Sequence, residues 1–296
     1  MGRAAHSTSD TLTHPFSVDH AWPSPAKLNL FLHVTGRRRD GYHELQTVFQ
    51  FLDYGDSLYF TPRGDGVCQR VEGPEEIPAD RDLVVRAARL LSEVSGAGLG
   101  ADIRVIKRIP IGGGLGGGSS NAATTLVALN RIWNLGLPFD EIAELGLRLG
   151  ADVPVFVRAH AAWAEGVGER LWPIELAEPW YLVVTPPVSV STAEVFGSKE
   201  LRRDTPLVDL QQFRTGAVGN DCEPVTRALH PPVGAVLDWL AQHGIARMSG
   251  TGAACFLAFD TLKQAERVRH EVPTEWRAFV ARGLNRSPLA DIMRGL

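Results

Sequence analysis

The chain has 296 residues, 44% of them hydrophobic and 22% charged, and a formal net charge of -4. This length favours two domains that share a cleft, and the composition is ordinary for a globular protein with a sizeable core. The negative charge argues against nonspecific binding of nucleic acid or of an anionic membrane, so a phosphate would have to be met by locally placed groups.

The ends of the chain and its cysteines suggest a cytoplasmic protein. Segment 1–21 has no apolar core of the kind found in secretory signals, and we expect a disordered extension there. No segment has the apolar length needed to cross a bilayer. Cys68, Cys222 and Cys255 lie far apart without metal or redox spacing, which favours buried thiols in a reducing compartment.

The first half of the chain is predicted to contain strands at its start and helices at its centre. Turn signals lie at 40–41 and 54–56, and apolar residues recur on one face of 81–94. The predicted strands are 28–35, 47–60 and 101–108, with further strand and turn at 163–168 and 172–175. The predicted helices are 81–94, 119–134 and 140–149.

The second half, beyond a boundary near Glu178, alternates strand and helix. Ser191 and Glu194 have the spacing of a capping box, which predicts a helix beginning there. Sheet with helices on one side favours an α+β architecture over a doubly wound sheet. The other predicted elements are strands at 180–184, 247–249, 254–259 and 277–284, and helices at 232–242 and 262–272.

Segment 112–118 is the most informative part of the chain, because it holds six glycines in seven positions with only Leu115 between them. Glycine lets backbone N–H groups turn toward a ligand and lets a charged ligand come close. Ser119, Ser120 and Asn121 follow, and we expect them to supply N-cap side chains to the next helix. A glycine-rich loop before a helix N-terminus predicts a phosphate site.

Three other glycine patterns compete with this interpretation. A P-loop requires a lysine after the last glycine, whereas Ser119 follows directly here. A dinucleotide loop expects an acidic residue about 20 positions on, after a second strand, but the acidic pair at 140–141 opens a predicted helix. A simple glycine hinge is disfavoured because hinges seldom end in two serines at a helix start.

Five blocks, in order, resemble the superfamily of galactokinase, homoserine kinase, mevalonate kinase and phosphomevalonate kinase. The resemblance extends from about Trp22 to Leu289, and the combination is far more specific than any single block. Within the superfamily, block 36–50 is similar to the substrate segment of a member that acts on a cytidine-diphosphate-linked methylerythritol. The blocks are PAKLNLFL at 25–32, the segment 36–50, the glycine loop with its helix start at 110–123, GADVPVF at 150–156 and SGTGAA at 249–254.

The resemblance implies an α+β kinase with a ribosomal-S5-like N-terminal domain, a ferredoxin-like C-terminal domain and the active site between them. After the extension 1–21, residues 22–178 would form the ATP-binding and catalytic domain. Residues 179–296 would form the domain that contributes to the substrate site.

The resemblance further implies ATP-dependent phosphorylation of the 2-hydroxyl of the cytidine-diphosphate-linked methylerythritol, in non-mevalonate isoprenoid precursor biosynthesis. We expect no nucleic acid or membrane partner, and a monomer or weak dimer. Mg²⁺ is expected with ATP, since a metal offsets phosphate charge. The sequence offers no dedicated Asp/Glu pair for it, only Ser119 or Ser120, so phosphates and water would hold most of the metal.

Asp152 and Lys27 are the candidate catalytic residues, since phosphoryl transfer to an alcohol needs a proton acceptor and charge neutralisation. By sequence alone, an Asx turn or a cap is the commoner role for Asp152, and Lys27 could be a strand-end charge. The resemblance favours catalysis for both. Asp152 would accept the hydroxyl proton, and Lys27 would favour the ionised carboxylate and stabilise the alkoxide.

The binding residues follow from the resemblance. Tyr42 and His43 would hold cytosine, with Phe196 on its opposite face, and stacking contributes ~1–3 kcal/mol per base. Asp82 stands where members often carry Asn, and a carboxylate cannot donate as an amide does. The ATP-binding residues would be Pro110, Ile111, Gly112, Gly113, Gly114, Leu115, Gly116, Gly117, Gly118, Ser119 and Ser120, with Lys107, Asp82 and Leu83 on the adenine side. The other substrate contacts would be Asn29, Thr192, Gly250, Thr251 and Gly252.

Three other functions fit parts of the sequence. A kinase of the same superfamily acting on homoserine or mevalonate would need no aromatic clamp. A catalytically silent nucleotide sensor would have no need of Lys27 and Asp152. An oxidoreductase would require the disfavoured dinucleotide loop. Asp53, Asp56, Asn220 and Asp221 are open between supporting roles near the site and ordinary turn or surface roles.

Overall fold

The structure, a computed structural model, describes residues 20–294. The extension expected over 1–21 therefore lies almost wholly outside the described residues. Within that described range, none of the helices is both long and apolar enough to span a membrane.

Ten strands and ten helices are present among the described residues, in the mixed order expected of an α+β protein. The strands are β1 Trp22–Arg37, β2 His43–Arg63, β3 Cys68–Glu72, β4 Gly100–Ile106, β5 Ala162–Gly166, β6 Arg170–Pro173, β7 Trp180–Thr185, β8 Arg247–Met248, β9 Cys255–Phe259 and β10 Arg277–Leu284. The helices are α1 Leu83–Ser95, α2 Gly117–Ile132, α3 Phe139–Leu147, α4 Val153–Arg158, α5 Thr192–Gly197, α6 Leu210–Arg214, α7 Glu223–Leu229, α8 Pro231–Leu240, α9 Leu262–Arg269 and α10 Pro288–Arg294.

The strands form one sheet whose main path runs β3-β4-β2-β10-β7-β9-β8. Strand β2 is 21 residues long and pairs with β1 along one edge. Its other edge is met in turn by β5 at 45–49, by β10 at 51–52 and by β4 at 57–63. This single strand therefore connects the two halves of the sheet.

The turn predicted at 54–56 is wrong, because these residues lie inside β2. Gly55 is required at this point of the strand by close packing. A Cβ atom on Gly55 would lie 2.4 Å from the Ser24 carbonyl oxygen, so glycine allows β1 to pass close by. Glycine occurs in strands where another backbone approaches closely as well as in turns, so Gly55 did not indicate a turn here.

Most predicted elements are confirmed with small shifts at their ends. Helix α1 begins where the Asp82 carboxylate accepts from the Val84 N–H at 3.0 Å, and ends at Gly96 with φ 64°. The Ser191 hydroxyl accepts from the Glu194 N–H at 3.3 Å, as its predicted N-cap position requires. The sequence analysis missed β3, α4, α6, α7 and α10, each of seven residues or fewer.

Three buried clusters hold the molecule together. One packs α1 and α2 against the first half of the sheet, and a second packs α8 and α9 against β7 and β9. The third joins the halves, because it brings Leu28 and Leu52 against Tyr181, Val183 and Phe256. The three cysteines are buried as expected, and burial raises the pKa of the Cys222 thiol to about 12.

Leu52→Ala should lower the free energy of unfolding by about 2–5 kcal/mol, because Leu52 is fully buried in the cluster that joins the halves. Denaturant unfolding followed by circular dichroism measures this loss. Ile245→Ala is the matched control, since Ile245 is 77% exposed and its truncation should leave the midpoint nearly unchanged. Equal midpoints for the two variants would show that this cluster does not stabilise the fold.

Candidate active site

The glycine loop, residues 110–118, connects β4 to α2 and lines a cleft of about 950 Å³. Gly112, Gly114 and Gly116 each have φ 71°, in the left-handed region that favours glycine. A Cβ atom on Gly114 would lie 2.3 Å from the Ser249 carbonyl oxygen. Glycine at this position is therefore required by backbone conformation and by close packing together.

The loop is fixed through its carbonyl oxygens, which accept from both halves of the molecule. The Gly112 and Gly113 oxygens accept from the N–H groups of 253 and 254 at 3.4 and 3.0 Å. The Gly114 oxygen accepts from the Ser249 hydroxyl at 2.9 Å, and the Leu115 oxygen from the Lys27 N–H at 3.0 Å. A trans peptide places C=O and the next N–H on opposite sides. The following N–H groups therefore turn away from these donors.

Helix α2 begins at Gly117, two residues before the predicted serine cap. The cap prediction for Ser119, Ser120 and Asn121 is wrong, because the N-cap is Gly116, which has no side chain. Ser120 is fully buried, and its hydroxyl accepts from Ser24 at 2.8 Å. The first-turn N–H groups of a helix have no intrahelical acceptor. A side-chain cap would occupy one of them, and its absence leaves these donors for an anion.

A buried carboxylate holds both ends of the loop. The Asp56 side chain is completely buried and accepts from the Arg108 and Ile109 N–H groups at 2.7 and 2.9 Å. It also accepts from the Asn121 amide at 2.9 Å and from Lys107 Nζ at 2.5 Å. Residues 107–109 precede the glycines, and Asn121 is the fifth residue of α2. Asp56 thus ties the two flanks of the loop to one point.

Lys27 and Asp152 meet at the base of the cleft, as predicted. Lys27 Nζ lies 3.2 Å from Asp152 Oδ2, and Lys27 is only 2% exposed, on β1. The same ammonium donates to Asn29 Oδ1 and, at 3.2 Å, to the Gly114 oxygen, and lies 5.3 Å from the centre of the Phe49 ring. These contacts fix the position of the Lys27 ammonium in the cleft.

Asp152 occupies the N-cap position of α4, yet among the described residues its carboxylate makes no capping hydrogen bond. The alternative role as a helix cap is therefore wrong. The side chain turns to Lys27 instead and remains 33% exposed to the cleft. A carboxylate that is fixed by a cation and open to a ligand is suited to accept a proton.

Asn29 is oriented by its neighbours on both sides of its amide. Its oxygen accepts from Lys27 Nζ, and its NH₂ group donates to Thr47 Oγ1 at 3.0 Å. The Thr47 hydroxyl in turn donates to the Phe31 carbonyl oxygen. This chain of bonds fixes which end of the Asn29 amide faces the lysine.

The predicted base-binding rings lie at the other end of the cleft. His43 and Phe196 stack with ring centres 5.0 Å apart and planes at 28°, while Tyr42 is 62% exposed at the rim. Burial, followed by the charges of Arg203 and Arg37, lowers the pKa of His43 below its usual 6.5. The ring is therefore mostly neutral at pH 7.

The turn at 249–252 and the start of α5 form the wall opposite the loop. The Thr192 and Thr251 hydroxyls lie 3.1 Å apart. The Asn220 amide donates to the carbonyl oxygens of Met248 and Gly250 at 2.9 and 2.7 Å, which fixes the turn. Gly250, with φ 58°, faces the cleft with the two threonines, so this wall offers hydroxyls and backbone groups.

The adenine side of the site differs from the expectation at Asp82. Its carboxylate is already engaged, because it caps α1 and forms an ion pair with Arg70 in a nearly buried position. Asp82 lines the cleft but is oriented by the protein. Leu83 lies beside Gly118, and Lys107 beside Gly117, so both remain next to the loop.

The structure brings nearly all predicted site residues into this one cleft. The exceptions are Ser120, which faces the core, and Gly252, which is buried at the end of the 249–252 turn and does not line the cleft. In residues 20–294, no three His, Cys, Asp or Glu side chains are grouped to hold a metal ion. The predicted residues that line the cleft are Lys27, Asn29, Tyr42, His43, Asp82, Leu83, Lys107, Pro110 to Ser119, Asp152, Thr192, Phe196, Gly250 and Thr251.

Several residues that shape the site had no decisive sequence signal. By sequence alone, Asp56 could support the site or lie on the surface, and its complete burial beside the loop shows that it supports the site. Phe49 and Thr47 lie in the middle of an apolar strand and gave no reason to be singled out. Arg203 stands next to Arg202 and resembles an ordinary surface charge, although it bonds to His43 at 3.0 Å.

Comparisons with known proteins agree with this geometry. Family profiles described as "GHMP kinases N terminal domain" and "GHMP kinases C terminal" match residues 82–160 and 203–278. The 4-diphosphocytidyl-2-C-methyl-D-erythritol kinase of Halorhodospira halophila is 55% identical over 271 residues, covering 90% of this chain and 94% of that protein. The kinase of the same name from Alkalilimnicola ehrlichii is 56% identical over 274 residues, covering 93% and 94%.

Solved structures give the same result. A crystal structure of 4-(cytidine 5'-diphospho)-2C-methyl-D-erythritol kinase has a TM-score of 0.77 and 32% identity, covering 89% of this chain and 99% of that one. The mevalonate kinase of Methanococcus jannaschii has a TM-score of 0.66 at 17% identity, covering 90% and 98%. The second likeness shows the fold alone.

Asp56→Asn should lower the free energy of unfolding by about 3–5 kcal/mol, because it leaves the largely buried Lys107 ammonium without its counter-charge. Denaturant unfolding measures the effect. Asp204→Asn is the control, since Asp204 forms only an exposed pair with Arg202 and its loss should matter little. If both variants unfold at the same denaturant concentration, Asp56 is not the anchor of the loop.

Proposed function

Because the chain belongs to the 4-diphosphocytidyl-2-C-methyl-D-erythritol kinase family, within the GHMP kinases, we propose that it phosphorylates the 2-hydroxyl of 4-diphosphocytidyl-2-C-methyl-D-erythritol. The phosphoryl donor is ATP, the products are the 2-phosphate and ADP, and the reaction belongs to non-mevalonate isoprenoid precursor biosynthesis. The observation that carries the proposal is the Lys27–Asp152 pair beside the glycine loop, with aromatic rings at the other end of the same cleft.

Asp152 acts as the proton acceptor. The C2 oxygen forms a bond to the γ-phosphorus, its hydrogen passes to the Asp152 carboxylate, and the bond from that phosphorus to the bridging oxygen of ADP breaks. Asp152 is suited to this step because its carboxylate is both paired and open to the cleft. A positioned general base contributes about 10²- to 10⁴-fold to the rate.

Lys27 and the glycine loop supply the electrostatic part of catalysis. Lys27 has no freedom to reorient, because Asn29, Gly114 and Asp152 hold its ammonium. Its charge stabilises the developing alkoxide, and the loop N–H groups stabilise charge on the phosphoryl oxygens. Donors that are fixed before the reaction need no reorganisation during it.

Mg²⁺ accompanies ATP in this proposal, and the donor set near the loop is compatible with a metal held mainly by phosphate oxygens and water. Ser119, which lines the cleft, is the hydroxyl available to it, whereas Ser120 faces the core. When bound, the metal offsets the charge of the phosphates.

The substrate is recognised at the far end of the cleft. Tyr42, His43 and Phe196 hold the cytosine, the rings by stacking and His43 by a hydrogen bond. Asn29 and Thr192 contact the methylerythritol. The 249–252 turn binds phosphate through the Gly250 and Thr251 backbone N–H groups and the Thr251 hydroxyl, since the Gly252 N–H already bonds to the Ser249 carbonyl oxygen at 3.0 Å. Residues of both proposed domains, 22–178 and 179–296, thus contribute to one site in a cytoplasmic enzyme that works as a monomer or weak dimer.

An assay of ADP release with ATP and Mg²⁺ tests the substrate assignment. Four alcohols are compared: 4-diphosphocytidyl-2-C-methyl-D-erythritol, methylerythritol 4-phosphate, homoserine and mevalonate. Turnover is expected only with the first, because only it fills the aromatic end of the cleft. Turnover with homoserine or mevalonate would contradict the cytosine site, and no turnover with any alcohol despite ATP binding would indicate a nucleotide sensor.

Asp152→Asn should lower kcat by about 10²- to 10⁴-fold, because the amide cannot accept the hydroxyl proton. ATP affinity, measured by calorimetry, should stay within a few-fold of wild type. Asp140→Asn is the control, since that carboxylate is exposed and forms a surface pair with Arg158 at 3.0 Å. Wild-type turnover in Asp152→Asn would remove Asp152 from the mechanism.

A further inference from the structure

Arg203 connects the two sides of the base-binding end of the cleft. Its Nε donates to His43 Nε2 at 3.0 Å. One terminal nitrogen donates to the carbonyl oxygens of Phe196 and Ser198 at 2.9 and 2.6 Å, and the other to that of Leu201 at 2.9 Å. A guanidinium has a fixed planar shape. Its four bonds therefore set the position of His43 relative to Phe196.

This contact also determines where the His43 ring carries its hydrogen. Arginine can only donate, so His43 Nε2 has to be the acceptor. A neutral imidazole has one N–H group, which must then be at Nδ1. A protonated ring would carry an N–H at Nε2 as well, and that hydrogen would oppose the one donated by Arg203. The lowered pKa of His43 agrees, because burial and the charges of Arg203 and Arg37 all disfavour the protonated ring.

His43 lines the cleft, so a ring with hydrogen at Nδ1 can offer a donor to a base bound there. Cytosine has an acceptor at N3 on its Watson–Crick edge, whereas uracil carries a hydrogen there. Two opposed donors leave both groups without a partner, and such a site rejects the wrong ligand more strongly than a site that lacks one contact. With Nδ1–H directed at pyrimidine N3, the tautomer of His43 would distinguish the two bases.

Resting on the proposed function, we propose that Arg203 is the specificity-determining positioning residue for the base. It holds His43 as an Nδ1–H donor and thereby selects a cytidine over a uridine diphosphate substrate. Arg203 acts through His43 and has no contact with the reacting atoms in this role. A purely structural arginine would also bond to the 196–201 segment, but it would not change the preference between bases.

The tautomer can be measured without any substrate. Long-range ¹H–¹⁵N spectra of ring-labelled protein distinguish Nδ1–H from Nε2–H, and His43→Gln identifies the signal among the nine histidines. We expect Nδ1–H for wild type and for Arg202→Met, the matched control, since Arg202 bonds to the exposed Asp204 instead. Arg203→Met should lose this preference. An Nε2–H ring at His43 in wild type would overturn the inference.

The preference between bases is the second readout. Wild type should favour the cytidine over the uridine substrate by about 10- to 100-fold in kcat/KM. Arg203→Met should reduce this ratio several-fold through KM with little change in kcat. Arg202→Met should keep it, and Phe196→Leu should weaken both substrates alike. An unchanged ratio in Arg203→Met, with both substrates equally impaired, would assign Arg203 a structural role only and overturn the inference.

The two proposals fail in different ways. If wild type does not phosphorylate the cytidine substrate, the proposed function fails, whatever the tautomer of His43. If it does so but the ratio is insensitive to Arg203, only the further inference fails. Should Arg203→Met not fold, Arg203→Lys keeps the charge but lacks the rigid Nε donor, and the same loss of base preference is expected.

Discussion

The hydrogen bonds to the carbonyl oxygens of residues 112–115 are the constraint on which the site depends. The carbonyl oxygens of four consecutive peptide groups point toward donors on β1 and in segment 249–254. Only a chain with left-handed glycines can follow that course. The N–H groups turn the other way as a result, and α2 adds its unpaired first-turn donors. The N–H donors that the loop and the helix start offer to an anion thus belong to the backbone.

Two lysine–aspartate pairs lie next to this loop, and they differ in how far the carboxylate is buried. The Asp56 side chain is completely buried, and both of its carboxylate oxygens accept hydrogen bonds from the protein. The Lys107–Asp56 pair therefore fixes the loop. The Asp152 carboxylate pairs with Lys27 but is one-third exposed, so it can meet a ligand. The same pair of residue types is structural in one place and chemically available in the other, because only one carboxylate is accessible.

The sequence predicted the architecture and most of the site, for identifiable reasons. Segments with a regular or continuous apolar pattern, such as α1, β7 and β10, were found because burial imposes that pattern on them. The glycine loop, Lys27 and Asp152 were found through motifs. The roles of Ser119 and Ser120 as caps were predicted wrongly, since local propensity cannot reveal that the loop leaves its helix donors free. Arg203 was missed because its partners are separated from it along the chain by up to 160 residues.

The halves of the molecule are joined both in the sheet and at the phosphate site. Strand β2 runs through both halves of the sheet, and the loop carbonyls bond to both. A rigid-body rotation that opened the cleft would break those bonds and disorder the phosphate site along with it. The exposed Tyr42 ring at the rim of the cleft is outside this constraint, because its side chain turns about its own single bonds. In this structure, opening of the cleft by rotation of the halves and integrity of the phosphate site are therefore mutually exclusive.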